Sequence, residues 1–143
     1  MLIAQILKGK GDDVFTARPD QTVAEIAAEL TNRRFGAAVV CDEDRHVVGI
    51  VSERDIVRVI AQAGDQGLHD PVSQHMTRDV IYAHMNETVD ELLGRMTDRR
   101  IRHLPVCVDD RLAGLVSIGD LVKSKIAEVE AEAEGLKTYI AAG

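Results

Sequence analysis

The segment Gly49-Ile-Val-Ser-Glu-Arg-Asp55 returns in the second half of the chain as Gly114-Leu-Val-Ser-Ile-Gly-Asp120. The match extends well beyond it. Val14–Ala17 aligns with Val80–Ala83, Thr22 with Thr88, Ala38–Asp42 with Leu104–Val108, and His46–Val51 with Arg111–Val116 after a turn one residue shorter. Roughly a third of the aligned positions are identical, which marks an internal duplication. A chain of 143 residues is long enough for one domain with a proper core. Two copies make it two half-size lobes that share that core.

The hydrophobic pattern predicts strand, helix, strand, strand, helix in each copy. Val14–Ala17 is a short strand closed by Arg18-Pro19, since proline favours an extended residue before it. Thr22 caps a helix whose apolar face is Val23, Ile26, Ala27 and Leu30, with Glu25, Glu29 and Arg33 elsewhere, and which stops near Gly36. Ala37–Cys41 is apolar without alternation, the signature of a strand buried on both faces. After a polar turn at Asp42–Arg45, His46–Val51 forms the third strand. Ser52 then opens a helix with Ile56, Val57, Val59 and Ile60 expected inside, and Arg54 and Arg58 near the surface. In the second copy the first helix turns Val89, Leu92, Leu93 and Met96 to one side.

Met1–Leu7 reads as an amphipathic lead-in helix ended by Gly9 and Gly11, and Asp70–Met76 as a second lead-in after a glycine-containing linker, Ala63–His69. The expected divisions are 1–13 for the lead-in, 14–64 for the first repeat, 65–79 for the linker and second lead-in, 80–126 for the second repeat, and 127–143 for a C-terminal helical extension. The fold class is α/β, of the α+β kind. One such unit leaves an apolar sheet face uncovered. Two units bury those faces against each other about a pseudo-two-fold axis, with clefts where the duplicated junctions meet the other lobe. In the extension, Val122, Ile126, Val129, Ala133, Leu136 and Ile140 follow the spacing of a helical seam. That seam either meets a second subunit or lies on the protein's own first lobe.

At the strand-to-helix junctions, the unpaired N–H groups of the first helical turn, with Ser52 or Ser117, suit an anion such as a phosphate. Asp55 or Asp120, one turn on, suits a ribose diol. Ser-x-x-Asp is also a capping box, in which the serine caps the helix and the acid reaches back. Both readings are open at this point, and Thr22-Val-Ala-Glu25 and Thr88-Val-Asp-Glu91 are read as caps alone. Arg102 has the planar fork for phosphate oxygens and His103 a donor or stacking face. Gly119 leaves room at the second helix where Arg54 stands in the first copy. Arg54 and Arg102 are read equally well as solvated or ion-paired surface arginines, and for His103 a structural hydrogen bond ranks ahead of ligand contact.

A net charge of −7 and a chain without tryptophan argue against a nucleic-acid-tracking surface, a stacking platform or an anionic membrane face. No run is long enough to span a bilayer, and the apolar N-terminus lacks the marks of a signal peptide, so the expected compartment is the cytoplasm. Cys41 and Cys107 end matching strands and are expected to be buried free thiols, neither a disulfide nor a metal pair. There is no activated nucleophile, catalytic carboxylate pair or ligand spacing, so an enzyme is not expected.

With GIVSERDIV and IRHLPVCVDDRLAGLVSIGDLV as its most telling parts, the stretch Val14–Ile126 resembles a tandem pair of CBS motifs, the Bateman module. The resemblance implies two β-α-β-β-α lobes, dimers in the form of flat discs, and an adenosine-containing regulatory ligand such as AMP, ATP, NAD or S-adenosylmethionine in the clefts. By the same resemblance, Asp55 and Asp120 hold ribose and Ser52 and Ser117 contact phosphate. The adenine is held near Thr16 and Tyr82 and by the residues entering the second strand: Gly36, Ala37 and Ala38 in one copy, Arg102, His103, Leu104 and Pro105 in the other. The expected function is a stand-alone metabolite or energy sensor, a homodimer acting on an unknown effector protein. The alternative is a ligand-independent adaptor that docks a partner through its terminal helix.

Overall fold

The computed structural model describes residues 1–10 and 14–142, so the expected helix stop at Gly11 lies outside the described residues. In chain order the elements are α1 (Ile3–Lys10), β1 (Thr16–Ala17), α2 (Val23–Arg33), β2 (Ala37–Cys41), β3 (Val47–Ser52) and α3 (Glu53–Leu68). A short 3-10 turn at Val72–Gln74 is followed by α4 (Val89–Arg99), β4 (His103–Val108), β5 (Arg111–Ser117) and α5 (Ile118–Ala142). The fold is the expected α+β pair of lobes.

Equivalent elements form for equivalent reasons. Thr22 and Thr88 accept hydrogen bonds from the backbone N–H of Glu25 (3.1 Å) and Glu91 (3.2 Å), capping α2 and α4. Both helices end on an arginine in the left-handed region, Arg34 (φ 58°) and Arg100 (φ 55°). The β2–β3 and β4–β5 hairpins are antiparallel, and each carries a register irregularity at the matching place, Val40/Cys41 and Val106/Cys107.

The copies part at their first strand. In the first lobe β1 runs parallel to β2, and the Val39 N–H donates to the Phe15 carbonyl (3.0 Å). The residue equivalent to Val39 is Pro105, which has no N–H to give, so the expected strand Val80–Ala83 shrinks to a single bridge between Ala83 and Val106. Side chains hold this segment instead. Arg95 donates to the Tyr82 carbonyl (2.8 Å) and forms a two-pronged ion pair with Glu87, which also accepts from the His84 N–H (2.8 Å). The first copy has Gln21 and Glu29 at those two places and cannot make that pair.

The lead-in segments are exchanged between lobes. Ile3 and Leu7 of α1 belong to the core of the second lobe, with Leu92, Met96, Leu104 and Leu121. Val72 and Met76, from the segment before the second repeat, belong to the core of the first, with Ile26, Leu30, Val40 and Val51. Two glycines make room for them. A β-carbon at Gly49 would sit 2.5 Å from the Met76 sulfur, and one at Gly114 would sit 2.9 Å from a Leu7 methyl. Matching bridges, Leu2 with Thr88 and Thr22 with Pro71, anchor the two segments. Where the lobes meet, Val39, Cys41 and Leu112 form a small shared cluster, and both cysteines are free.

Further details differ from expectation or decide between its alternatives. Helix α1 passes through Gly9 to Lys10, and α3 continues to Leu68 across a non-helical Gly64 (φ 59°, ψ −145°), so most of the stretch read as a linker is helix. On α3, Val59 and Asp55, one turn apart, face inward, which turns Val57 (65% exposed) and Ile60 (50%) outward, contrary to the expected inner face. Helix α5 buries only Leu121 and leaves Ile126, Val129, Leu136 and Ile140 exposed, so its seam does not lie on the first lobe. Among the described residues no helix is long and apolar enough to cross a membrane.

Two outcomes follow from this packing. Ile3→Ala, at a fully buried position, should destabilise the protein by about 2–5 kcal/mol in urea unfolding. Hydrogen exchange should rise more in α4, β4 and β5 than in β2 and β3, because α1 closes the second lobe. The Arg95 side chain bonded to Glu87 outweighs burial and holds that carboxyl below its ordinary 4.5. Its stabilisation is present above that value and lost as pH falls through the lowered one. Between pH 7 and pH 3, Glu87→Gln should therefore lose less stability than the parent protein.

Candidate ligand-binding cleft

The two duplicated junctions are built alike from backbone. Glu53 N–H donates to the Gly36 carbonyl (3.1 Å) and Ile118 N–H to the Arg102 carbonyl (2.8 Å), pinning each second helix to the residue that enters the lobe's central strand. Both acids act as helix caps. Asp55 Oδ2 accepts from the Ser52 N–H (2.8 Å), and Asp120 Oδ2 accepts from the Ser117 N–H (2.9 Å). The serines return the bond, accepting from Asp55 N–H (3.4 Å) and Asp120 N–H (3.2 Å). The capping reading is thus realised in both lobes.

What else reaches each carboxylate differs, and the exchanged lead-ins decide it. At the first junction Asp55 Oδ1 meets Arg58 Nη2 (2.8 Å) and accepts from the Thr77 hydroxyl (3.4 Å), Thr77 lying just after Met76. At the second, Lys10 at the end of α1 donates to Asp120 Oδ2 (2.6 Å) and to the Leu115 carbonyl (2.9 Å). Burial alone would push the Asp120 carboxyl up. The Lys10 ammonium and the Ser117 N–H outweigh it and leave the acid below its ordinary range.

The first junction opens into a cleft of about 260 Å³ between the lobes. The first lobe supplies Ile50, Ser52, Glu53, Arg54, Asp55 and Arg58, and Thr77 also lines the cleft. The second lobe supplies Arg100, Ile101, Arg102 and His103, which face Gly36 across the junction. A β-carbon at Gly36 would stand 3.1 Å from His103 Nε2, so glycine lets that ring pass into the neighbouring lobe. Burial holds the His103 imidazole below its usual pKa, with Glu53 and Asp120 pulling the other way, so it is neutral at pH 7. The volume is a little under the roughly 300–1,000 Å³ of typical small-molecule sites. It suits a ligand of which part stays in solvent.

Of the residues expected at a site, the cleft brings together Gly36, Ser52, Arg54, Asp55, Arg102 and His103. Ala37, Ala38, Leu104 and Pro105 follow Gly36 and His103 in sequence, are buried in β2 and β4, and do not line the cleft. Ser117, Gly119 and Asp120 stand at the second junction, beside Lys10. Thr16 and Tyr82 lie elsewhere, Thr16 in a depression with Arg18 and Arg45, and Tyr82 in another with His46, His84 and Asp110. The expected set omitted Arg58, Thr77, Arg100 and Lys10. Arg58 was legible as one turn beyond Arg54. The others depend on which lobe each lead-in joins and on how α4 ends.

Comparison with known proteins agrees with this architecture. The CBS domain family matches the chain twice, over residues 10–62 and 72–126. The mitochondrial CBS domain-containing protein CBSX3 of Arabidopsis thaliana is 33% identical over 149 residues, covering 99% of this chain and 72% of that one. The chain spans 66% of a relative from Acidianus ambivalens and 37% of one from Thermofilum pendens. Among solved structures, a CBS-domain-containing protein from Agrobacterium tumefaciens superposes with a TM-score of 0.85 at 42% identity, covering 87% of this chain and 99% of that one. The CBS domain pair of protein MJ0100, in complex with 5-methylthioadenosine and S-adenosyl-L-methionine, gives 0.80 at 28% identity, over 90% and 98% of the two chains. A CBS domain protein from Pyrobaculum aerophilum complexed with AMP gives 0.74 at 28% identity, over 84% and 89%. A duplicated strand-to-helix junction, a cleft between pseudo-symmetric lobes and two family matches lead to one statement: this chain belongs to the CBS-domain family and carries the motif in tandem.

Proposed function

We propose that this protein is a regulatory module that binds an adenosine-containing ligand of the AMP, ATP, NAD or S-adenosylmethionine type in the cleft at the first junction, and that it signals without catalysing. The observation that carries the reading is the open cleft itself, where a carboxylate for a ribose diol, a helix start and arginines from the opposite lobe face one another. Adenosyl ligands in two structural neighbours support it. Asp55 Oδ1 is the acceptor for the diol. It becomes available when the half-exposed Arg58 turns from the carboxylate towards a phosphate. The adenine then lies against Gly36, Ile101 and His103, where a neutral imidazole is the better stacking partner.

The first junction is the working one in this reading, because its residues line the cleft, and the cation on its carboxylate, Arg58, is half-exposed on the same helix and itself lines that cleft. Asp55→Asn keeps an oxygen for the Ser52 N–H but loses the charge. It should weaken AMP and ATP by roughly tenfold to a hundredfold in calorimetry, since a hydrogen bond to a charged group is worth about 1.5–3 kcal/mol. Asp120→Asn should leave that binding within about twofold. Equal losses in the two variants would move the site, and no binding of any adenosyl compound by the parent protein would end the proposal.

The homodimer belongs to the same reading and rests on the exposed Val57 and Ile60 of α3 and Val122 and Ile126 of α5. The continuous helix beyond residue 126, with Val129, Leu136 and Ile140 exposed, favours a second reading, an adaptor whose terminal helix docks a partner or a second copy. Light scattering separates the two. Truncation after Ala127 should abolish association if the extension is the docking element, and should leave a ligand-responsive dimer if the lobes carry it.

A further inference from the structure

We infer that the end of α5 is an interface for a second copy of this chain, with two α5 helices lying parallel and in register along the seam Val122, Ile126, Val129, Ala133, Leu136 and Ile140. The inference rests on the docking-helix reading above, commits that helix to one occupant, and holds whether or not an adenosyl ligand binds.

The extension has no cover in its own chain. Residues 129–142 are all exposed, Leu136 by 61% and Ile140 by 67%. Their side-chain bonds stay within the helix: Lys137 meets Glu134 (3.5 Å), and the Thr138 hydroxyl donates to the Glu134 carbonyl (2.9 Å). An isolated helix of about four turns is marginal in water, and Gly135 lowers its propensity further. The seam does not begin at the extension. Leu121 anchors α5 in the core of the second lobe, and Val122 and Ile126 carry the same stripe over the body, 43% and 53% exposed. One apolar stripe thus runs from the lobe to the end of the helix, the shape that a second helix covers. Glu128, Glu130, Glu132 and Glu134 beside it oppose an anionic membrane surface.

The charges flanking the seam point to this chain as its own partner. With Ile126, Ala133 and Ile140 at heptad position a, Lys125 and Glu132 fall at g, and Glu130 and Lys137 at e. In a parallel pair each g side chain faces the e position five residues further along the other helix. Lys125 then meets Glu130 of the second copy, and Glu132 meets Lys137 of the second copy. Two-fold symmetry repeats both contacts, and neither flank brings like charges together. Glu130 and Glu132 have no ion-pair partner in their own chain among the described residues. Lys125 already meets Asp90 of α4 (2.9 Å), and its ammonium has further donors to give. Exposed pairs of this kind add little strength. They select partner and register, while the apolar seam supplies the affinity.

The test is cross-linking of the full chain with oxidised glutathione, which takes up the two electrons released when two thiols join. In a parallel, in-register pair an a-position residue faces its own counterpart, so Ala133→Cys should form a covalent dimer. Ala131→Cys, on the outer face of the same turn, should not, and the parent protein gives the background from Cys41 and Cys107. A protein that is dimeric by light scattering but cross-links at neither position, or equally at both, would overturn the inference and leave a homodimer through the lobes standing. A monomeric parent would overturn both, while AMP binding by the same protein reads the adenosyl proposal separately. Charge reversal is the second arm. Glu130→Lys with Glu132→Lys makes both flanks basic, Lys125→Glu with Lys137→Glu makes them acidic, and each double variant should weaken the dimer at least about tenfold. Mixing the two should restore association. A mixture that associates no more tightly than either variant alone would overturn the inference, and recovery in the mixture shows that both variants are folded.

Discussion

The packing of each lead-in segment into the opposite lobe is the contact on which this molecule depends. A single repeat, with its short strands and two helices, leaves one edge of its core open. Leu7 fills it for the second lobe at Gly114, and Met76 fills it for the first at Gly49. The hydrophobic gain from these buried side chains therefore stabilises the pair and not the single unit. It also fixes where the chain must travel: each segment crosses the shared axis before its own repeat begins.

Function inherits that crossing. Because the lead-ins end beside the opposite junction, they choose what each capping aspartate meets. At Asp55 the neighbour is the hydroxyl of Thr77, small and uncharged, and space remains. At Asp120 it is the ammonium of Lys10, already bonded to the carboxylate and to a strand carbonyl. Both carboxylates have a basic partner, but Asp55 takes Arg58 from its own helix and Asp120 takes Lys10 from the exchanged lead-in, although Ser-x-x-Asp reads the same in both. The cap and the proposed ligand contact are not rivals: Asp55 Oδ2 serves the helix, and Oδ1 meets Arg58 and Thr77, two residues of the cleft lining.

Much of the fold was legible in the chain before any coordinates. The duplication, the threonine caps of α2 and α4, the buried strand Ala37–Cys41 and the two junctions all stand where periodicity and turn chemistry put them. The errors have local causes. Val80–Ala83 carries a strand pattern, but Pro105 removes the donor it would pair with, and that effect is visible only once the partner strand is known. Val57 and Ile60 are apolar and lie within a helix, yet the face that packs is chosen by Asp55 and Val59. Ala63–His69 contains glycines, and the helix tolerates Gly64 as a kink. Of the cleft, Ser52, Asp55, Arg102 and His103 could be named from the motif. Thr77 could not, because its place depends on which lobe a lead-in joins, nor Arg100, whose place depends on how α4 ends; at the second junction Lys10 likewise depends on the lobe that α1 joins.

The amino-acid sequence by itself determined that there would be two related lobes, each with a capped helix springing from a buried strand, because helical and strand periodicities and Ser/Thr capping act over a few neighbouring residues. Only the tertiary structure decided which junction stays open, which side of α3 and α5 meets solvent, and which arginines share one cleft. Those outcomes depend on long-range packing, in which a methyl group filling the place of an absent β-carbon sets where a lysine or a threonine comes to rest.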